Sequence, residues 1–266
     1  MKLEGKVALV TGGTRNIGRV ISLTLAREGA KIAANYLGDD DAADRTVGEI
    51  REMGREALAI KADVGKIEQC KELVKKTTEA FGQVDILVSN AAIGQSNDIV
   101  DTPDEEWESV MNVNLRATFA LARELMPGMM ERKYGRVVTI TSILAFKGGG
   151  YKSGGVRFVS KATYSASKAG LIAFTKGIAH EGGPYITANV ISPAAVSGDL
   201  RPASERGEEW PPEPNMEDDK WLKWGVPLNR RAVSEDIAET LLFLVSDSAS
   251  FITGQTIHVS GGYMMP

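Results

Sequence analysis

Cysteine and histidine are scarce in this chain, and their scarcity excludes several kinds of site. Cys70 is the only cysteine among 266 residues, so no intrachain disulfide can form, and we expect a protein of the reducing cytoplasm. The two histidines, His180 and His258, do not combine with one cysteine into a typical transition-metal ligand set. We therefore predict no metal site and interpret both histidines as structural.

Long apolar runs and an excess of positive charge are also missing. No stretch of the sequence is apolar enough to span a membrane, and the run Val7–Val10 is too short for the core of a signal peptide. The formal net charge of −4 argues against the basic surface that nucleic acids require. We expect neither a membrane nor a nucleic acid as a partner.

The sequence does contain a glycine-rich turn at residues 11–18, between a short apolar strand and an apolar helical pattern. A strand, a glycine-rich turn and a helix together aim backbone N–H groups and a helix N-terminus at a phosphate. Glycines are needed there because a Cβ would block close approach or forbid the backbone angles. An ordinary strand-to-helix turn would look similar, so this feature alone does not identify a nucleotide site.

A second feature is the pair Tyr164 and Lys168, four residues apart. On a helix the two side chains lie on one face, about one turn apart. A nearby cation favours the phenolate, so we expect Lys168 to lower the pKa of Tyr164 and to suit it for general acid and base chemistry. A tyrosine and a lysine at this spacing also occur by chance, so context has to decide.

Together, the turn and the pair resemble the short-chain dehydrogenase/reductase family in its single-domain form, and the resemblance covers essentially the whole chain. Asp63-Val64 resembles the pair that meets the adenine ring, residues 89–92 resemble the family's Asn-Asn-Ala-Gly stretch, and Thr141-Ser142 ends a predicted strand where the family has its catalytic serine. The resemblance implies a catalytic set of Asn114, Ser142, Tyr164 and Lys168. It also implies a cofactor site formed by Gly12, Thr14, Arg15, Asn16, Ile17, Gly18, Tyr36, Asp63, Val64, Asn90, Ala91, Tyr164, Lys168, Pro193 and Val196.

The resemblance also implies a mechanism, in which a bound NAD(P)(H) exchanges hydride with a small-molecule ketone or secondary alcohol. Tyr164 would donate a proton to the carbonyl oxygen or take it back, and Ser142 would donate a hydrogen bond to the same oxygen. Lys168 would hold the nicotinamide ribose. Asn114 would anchor a water that links Lys168 to solvent.

The choice between NADP(H) and NAD(H) depends on charge at two places. An NAD site usually has an acidic residue about 20 positions after the glycine turn, and the end of the predicted second strand has none at Asn35 and Tyr36. Arg15 lies inside the turn, where NADP-using relatives often carry a cation for the 2′-phosphate. Two features argue for NAD(H) instead. Leu37 stands where many NADP users have a second arginine, and residues 39–41 are acidic. We favour NADP(H), with NAD(H) as the alternative.

Two places depart from the family pattern. Asn16 replaces the usual middle glycine of the turn, and we expect the turn to survive because asparagine tolerates a positive φ. After Pro193 the family commonly has a glycine and then a threonine that bonds the cofactor carboxamide. Ala194 and Gly198 stand near those positions here, so Ser197 is the candidate substitute.

Apolar runs and amphipathic segments alternate along the chain, as in a doubly wound α/β protein. We predict a Rossmann fold with about seven parallel strands, helices on both faces, and a single NAD(P)-binding domain over residues 1–266. A long helix is expected over residues 104–132. The predicted strands are 6–10, 31–36, 57–61, 86–89, 136–140, 186–192 and 256–259.

Two loops border the expected substrate pocket. Residues 143–163 form a stretch longer than is usual in the family, and it is either a rim over the pocket or a surface insertion. Residues 194–231 contain Trp210, Trp221 and Trp224. A loop of that length with apolar side chains to bury predicts a substrate lid, with a subunit contact as the alternative.

Three functions stay open. The first is the interconversion of a small-molecule ketone and a secondary alcohol. The second is reduction of a 3-oxoacyl thioester of fatty-acid type, which residues 252–262 also resemble, although the segment before the predicted sixth strand has little of the basic charge that docks an acidic carrier protein. The third is a non-catalytic dinucleotide-binding sensor, against which the intact Ser142, Tyr164 and Lys168 argue. Family members usually form homotetramers, which we also expect here.

Overall fold

The structure is a computed structural model in which residues 1–151, 158–197 and 225–265 are described. Most of the predicted lid, with Gly198, Trp210, Trp221 and Trp224, lies outside the described residues, as do residues 152–157 of the predicted rim. The strands are β1 Val7–Val10, β2 Lys31–Tyr36, β3 Ala57–Lys61, β4 Ile86–Ser89, β5 Gly135–Ile140, β6 Gly149–Tyr151, β7 Phe158–Ser160, β8 Ile186–Pro193 and β9 Thr256–Val259. The helices are α1 Asn16–Arg27, α2 Asp40–Glu52, α3 Ile67–Phe81, α4 Asp104–Met111, α5 Ala117–Glu131, α6 Leu144–Lys147, α7 Ala162–Gly182 and α8 Ser234–Val245.

Seven strands form one parallel sheet in the order β3-β2-β1-β4-β5-β8-β9. The predicted seven-stranded, doubly wound sheet is confirmed, and each predicted strand matches an observed one to within one residue at either end. The winding reverses between the neighbours β1 and β4. In sheets of this kind the carboxyl ends of the strands at that point form a crevice where ligands bind.

Helices cover both faces of the sheet, because alternate residues of each strand point to opposite sides. In β1, Ala8 and Val10 belong to the core formed with α1, α2 and α8, whereas Leu9 belongs to the core formed with α3, α5 and α7. Burial on both faces explains why the strands read as continuous apolar runs rather than as alternating patterns.

The prediction of one uninterrupted helix over residues 104–132 is wrong, because the helix is interrupted. A π-helical turn occupies Asn112–Arg116, between α4 and α5. This wider turn contains Asn114, whose side chain bonds both backbone groups of Ile93. A π-helical turn of this kind is rare and short and lies inside an α-helical segment, so the sequence pattern predicted one uninterrupted helix.

The stretch between Ser142 and Tyr164 also contains structure that the sequence pattern did not predict. Helix α6 follows Ser142 directly, and β6 pairs with β7 as an antiparallel pair outside the main sheet. Strands of three residues that include glycines lack the apolar alternation by which a strand is recognised. This pair brings the chain back to the beginning of α7.

Candidate active site

The glycine-rich turn lies at the carboxyl end of β1 and leads into α1. Gly12 has a φ of +61°, and a Cβ added at Gly18 would lie 2.0 Å from the carbonyl oxygen of Gly12, so both positions require glycine. Asn16 has a φ of 48°, which is the conformation that asparagine was expected to tolerate. Arg15, the N-cap residue of α1, makes no side-chain capping bond, which leaves the first N–H groups of the helix suited to a phosphate.

Asn35, near the end of β2, holds this turn in place. Its Oδ1 accepts a hydrogen bond from the backbone N of Gly12 at 3.3 Å, and its carbonyl oxygen accepts one from the N of Gly13 at 2.8 Å. Its Nδ2 donates to the carbonyl oxygen of Ala62 at 2.9 Å, so one buried side chain links β2, the turn and the end of β3. The sequence did not predict this role of Asn35, although a polar residue in the otherwise apolar β2 could have indicated it.

The loop after β4 closes the other side of the turn. Thr11 Oγ1 accepts hydrogen bonds from the backbone N of Asn90 at 2.9 Å and of Ala91 at 3.0 Å. The Nδ2 of Asn90 donates to the carbonyl oxygen of Thr11 at 2.9 Å. The structure therefore brings together Gly12, Asn90 and Ala91, which the sequence had placed in one cofactor site.

Asp63 and Val64 lie on the loop that follows β3. Asp63 Oδ1 accepts a hydrogen bond from the backbone N of Gly65 at 2.9 Å, and the backbone N of Asp63 donates to Oε1 of Gln69 at 2.6 Å. The side chain of Val64 is buried. These contacts fix the loop at the same edge of the sheet as the glycine turn, where an adenine would be expected.

Charged side chains surround the outer end of the turn. Arg15 Nη1 lies 3.9 Å from Asp39 Oδ2, and the other oxygen of Asp39 caps α2. Tyr36 donates its hydroxyl hydrogen to Asp40 at 2.8 Å, and this hydrogen bond raises the pKa of Tyr36. A cavity of about 310 Å³ is lined in part by Arg15, Asp39 and Arg45. Arg19 lines the same cavity but is paired with Glu49. Arg15 and Arg45 are therefore the cations that suit a phosphate, and Asp39 is the carboxylate that opposes it.

Ser142 and Tyr164 meet where β5 ends and α7 begins. Ser142 lies two residues beyond the last residue of β5, and Tyr164 lies in the first turn of α7. Burial raises the pKa of Tyr164 above its ordinary value of 10.0, and a hydrogen bond with the Ser142 side chain offsets that rise in part. At neutral pH Tyr164 is therefore a protonated phenol that touches a serine hydroxyl.

Lys168 lies one turn farther along α7, and its Nζ is 5.8 Å from the centre of the Tyr164 ring. The side chain is 2% exposed, and Nζ donates to the carbonyl oxygen of Ile140 at 2.9 Å. Burial lowers the pKa of Lys168 to about 8. The expectation that Lys168 lowers the pKa of Tyr164 is wrong for the chain alone, because burial disfavours the phenolate and the ammonium alike.

Asn114 is buried in the π-helical turn, and its side-chain amide makes three hydrogen bonds. Its Oδ1 accepts from the backbone N of Ile93 at 2.9 Å, while Nδ2 donates to the carbonyl oxygen of Ile93 at 3.0 Å and to Ser167 Oγ at 3.0 Å. Ser167 in turn donates to the carbonyl oxygen of Tyr164 at 2.6 Å. Asn114 therefore connects the loop after β4 to α7, and a water could use only the remaining lone pair of Oδ1.

The segment after β8 runs along two parts of the site. The carbonyl oxygen of Pro193 accepts from the backbone N of Ile143 at 3.0 Å, next to Ser142. Val196 forms a β-bridge with Ala232, and Ser197 lines the same cavity as Arg15. Pro193 is thus close to the catalytic candidates, whereas Val196 and Ser197 lie toward the glycine turn.

This chain belongs to the short-chain dehydrogenase/reductase family, whose members are NAD(P)-dependent oxidoreductases. A family model described as enoyl-(acyl carrier protein) reductase matches residues 12–264. The 3-oxoacyl-[acyl-carrier-protein] reductase FabG of Staphylococcus epidermidis is 38% identical over 261 residues, which cover 98% of this chain and 99% of that protein. The family predicted from the glycine turn and the Tyr164–Lys168 pair is confirmed.

Solved structures agree with the fold. A blue fluorescent protein from a metagenomic library, in complex with NADPH, is 31% identical with a TM-score of 0.84, and the match covers 100% of both chains. A short chain dehydrogenase from Burkholderia cenocepacia J2315, in complex with NADP, is 31% identical with a TM-score of 0.83, and the match covers 99% of both chains.

Proposed function

We propose that this protein is an NADP(H)-dependent oxidoreductase that interconverts a small-molecule ketone and a secondary alcohol, with Tyr164 as the general acid and base. The observation that carries the proposal is the hydrogen bond between Tyr164 and Ser142, with Lys168 one turn away, at the same sheet edge as the glycine turn. When bound, the dinucleotide supplies or accepts the hydride. The residues of the chain then have to orient the carbonyl and move the proton.

In the direction of reduction, Tyr164 donates its hydroxyl hydrogen to the carbonyl oxygen as negative charge develops there. The raised pKa of Tyr164 keeps this proton in place at neutral pH, and it makes the phenolate left behind a strong base in the reverse direction. Ser142, already hydrogen-bonded to the Tyr164 hydroxyl, turns its own hydrogen toward the same oxygen. Lys168 would hold the nicotinamide ribose, and Asn114 would anchor a water on the route by which the proton returns.

Charge supports NADP(H) as the preferred cofactor. Arg15 in the glycine turn and Arg45 on α2 line one cavity, and both are suited to the 2′-phosphate. Two of the three acidic residues at 39–41 are already engaged, since Asp39 caps α2 and Asp40 accepts from Tyr36 and Lys61. The two solved relatives described above were crystallised with NADPH and NADP, which agrees with this choice.

Reduction of a 3-oxoacyl thioester is the second candidate, because curated relatives such as the Staphylococcus epidermidis protein carry that name. The surface argues for a small substrate rather than a carrier-bound one. Tyr185, just before β8, is 38% exposed, and the nearest cation over its ring is Lys133 at 6.0 Å. Of the other basic residues near this segment, Arg136 is buried and Arg132 donates to the carbonyl oxygen of Val84, so little free positive charge is left to dock an acidic carrier protein.

One panel of assays tests these proposals together. Oxidation of NADPH and of NADH is followed by absorbance with cyclohexanone, acetophenone, ethyl acetoacetate and acetoacetyl-CoA. We expect a free ketone to be reduced with a higher kcat/KM than acetoacetyl-CoA, and NADPH to be preferred. Faster reduction of acetoacetyl-CoA would favour the thioester function instead. Tight NADPH binding with no turnover on any carbonyl would favour a non-catalytic sensor.

We also propose a cytoplasmic homotetramer. Among the described residues, no helix is long and apolar enough to cross a membrane. Phe119 on α5 is 40% exposed and stacks edge-on with Phe174 of α7, while Phe251, close to β9, is fully exposed. Exposed aromatic side chains on two separate elements, α5 and the turn before β9, suit an assembly with more than one kind of two-fold contact.

A further inference from the structure

Helix α7 carries Tyr164 and Lys168, yet its first turn is not capped by its own N-cap residue. Lys161 occupies the N-cap position and makes no side-chain capping bond. The first N–H groups of any helix have no partner within the helix and need an acceptor from elsewhere. At α7 this acceptor is Gln95, whose Oε1 accepts from the backbone N of Thr163 at 2.9 Å and of Tyr164 at 3.3 Å.

Gln95 is well placed to act as a fixed support. Its side chain is 4% exposed, and its Nε2 donates to the carbonyl oxygen of Asn97 at 2.6 Å. Because two N–H groups face Oε1 and a carbonyl faces Nε2, the orientation of the amide is defined by its partners. The backbone of the same residue is held as well, since Lys161 Nζ donates to the carbonyl oxygen of Gln95.

The loop that contains Gln95 connects the two halves of the site. It begins at Asn90, whose backbone N donates to Thr11 in the glycine turn. Its middle is clamped by Asn114, which bonds both backbone groups of Ile93 and also reaches α7. Its far end is Gln95, on the amides of Thr163 and Tyr164. Residues 90–97 therefore form a continuous link from the expected phosphate site to the proton donor.

We propose that Gln95 is a positioning residue that sets the place of the Tyr164 hydroxyl relative to the bound cofactor and carbonyl. This inference rests on the proposed role of Tyr164. Hydride and proton transfer need reacting atoms within a few tenths of an ångström of the productive geometry, and a misplacement of about 1 Å can cost roughly 100-fold in rate. Loss of the Gln95 acceptor lets the first turn of α7 loosen, and Tyr164 lies in that turn.

Three variants test the proposal. Gln95→Met keeps the size of the side chain and removes the acceptor. Gln95→Glu keeps the acceptor for Thr163 and Tyr164, which also suits a helix N-terminus, but replaces the Nε2 donor that faces the carbonyl oxygen of Asn97. Gln83→Met is the matched control, because within residues 1–151, 158–197 and 225–265 the Gln83 side chain donates only to Asp85, at the amino end of β4. The readouts are hydrogen–deuterium exchange of the amides of Thr163 and Tyr164, the Kd for NADPH, and kcat with NADPH and with NADPH deuterated at the transferred position.

The expected result separates positioning from general damage. Gln95→Met should speed exchange of the two amides and lower kcat by about tenfold or more, with the Kd for NADPH changed less than about twofold. Its deuterium isotope effect on kcat should rise, because the chemical step has slowed. Gln95→Glu keeps the acceptor but loses the donor to Asn97, so it should restore protection of the Thr163 and Tyr164 amides and part of kcat. Gln83→Met should match the wild type in both rate and isotope effect.

Other outcomes overturn the inference. Unchanged amide exchange or unchanged kcat in Gln95→Met refutes it, and so does a lower kcat with an unchanged isotope effect, which is the mark of a smaller folded fraction. Tyr164→Phe is measured in parallel with the fastest-reduced carbonyl of the panel. If Tyr164→Phe keeps its activity, the proposed function fails, whereas an inactive Tyr164→Phe with a fully active Gln95→Met refutes only the role of Gln95.

Discussion

Gly18→Ala is the substitution that tests the glycine turn most severely. The added Cβ would lie 2.0 Å from the carbonyl oxygen of Gly12 and 2.7 Å from Nδ2 of Asn90. The first contact is with backbone, which cannot rotate away, so the turn and the start of α1 have to separate. Overpacking of this kind costs about 1–3 kcal/mol, which corresponds to a fall in Tm of roughly 2–12 °C for a chain of this size. The Kd for NADPH should rise at least about tenfold, because the phosphate cradle is displaced.

Gly48→Ala is the control for this experiment. Gly48 lies within α2, and a Cβ added there meets nothing within 4 Å. Alanine in a helix interior is favoured over glycine by roughly 0.5–1 kcal/mol, so this variant should keep or raise the Tm and leave NADPH binding unchanged. A Gly18→Ala protein with the Tm and NADPH affinity of the wild type would refute the close approach of turn and helix described above.

Three further predictions concern charge and assembly. Arg15→Glu should erase or reverse the preference for NADPH in kcat/KM, since it places a second carboxylate beside Asp39. A wild-type protein that prefers NADH by about tenfold would contradict the role of Arg15. The pKa of Lys168 is about 8 in the folded chain against an ordinary 10.5. Between these two pH values the unfolded chain binds more protons than the folded chain, so the free energy of unfolding should rise with pH. Relative to Lys168→Met, the rise should reach at most about 3 kcal/mol. Urea unfolding of both proteins at the two ends of the interval checks this, and parallel pH curves would contradict it. Light scattering at micromolar concentration should give the mass of four chains, and a monomeric mass would rule out the proposed assembly.

The sheet could be predicted from the sequence because its strands are buried on both faces. Runs such as Val7–Val10 and Ile86–Ser89 have to be apolar throughout, and the glycine turn marks where the first one ends. The glycine turn and the Tyr164–Lys168 pair are local patterns, so the sequence also indicated which family the chain belongs to. The apolar runs, the glycine turn and the Tyr164–Lys168 pair each consist of residues close together in the sequence, which is why the sequence could predict them.

The features that sequence analysis missed depend on contacts between distant residues. Asn35 reaches the glycine turn, and Gln95 caps α7 across 68 positions of the chain. The π-helical turn around Asn114 is a short interruption inside an α-helical segment, and nothing in the sequence pattern predicted it. The direction of the Tyr164 pKa shift was also wrong, because spacing shows that a lysine is near but not how deeply both groups are buried.

The central claim is that Tyr164 is the proton donor, and Tyr164→Phe tests it most directly. Only the hydroxyl is removed, so the variant should fold, bind NADPH with a Kd near that of the wild type, and lose about 10²–10⁴-fold in kcat, as expected for general acid catalysis. The measurement is kcat with the fastest-reduced carbonyl of the panel, alongside NADPH binding by fluorescence. More than about a tenth of the wild-type kcat in a folded, NADPH-binding Tyr164→Phe protein would contradict the claim, since a general acid contributes far more than that.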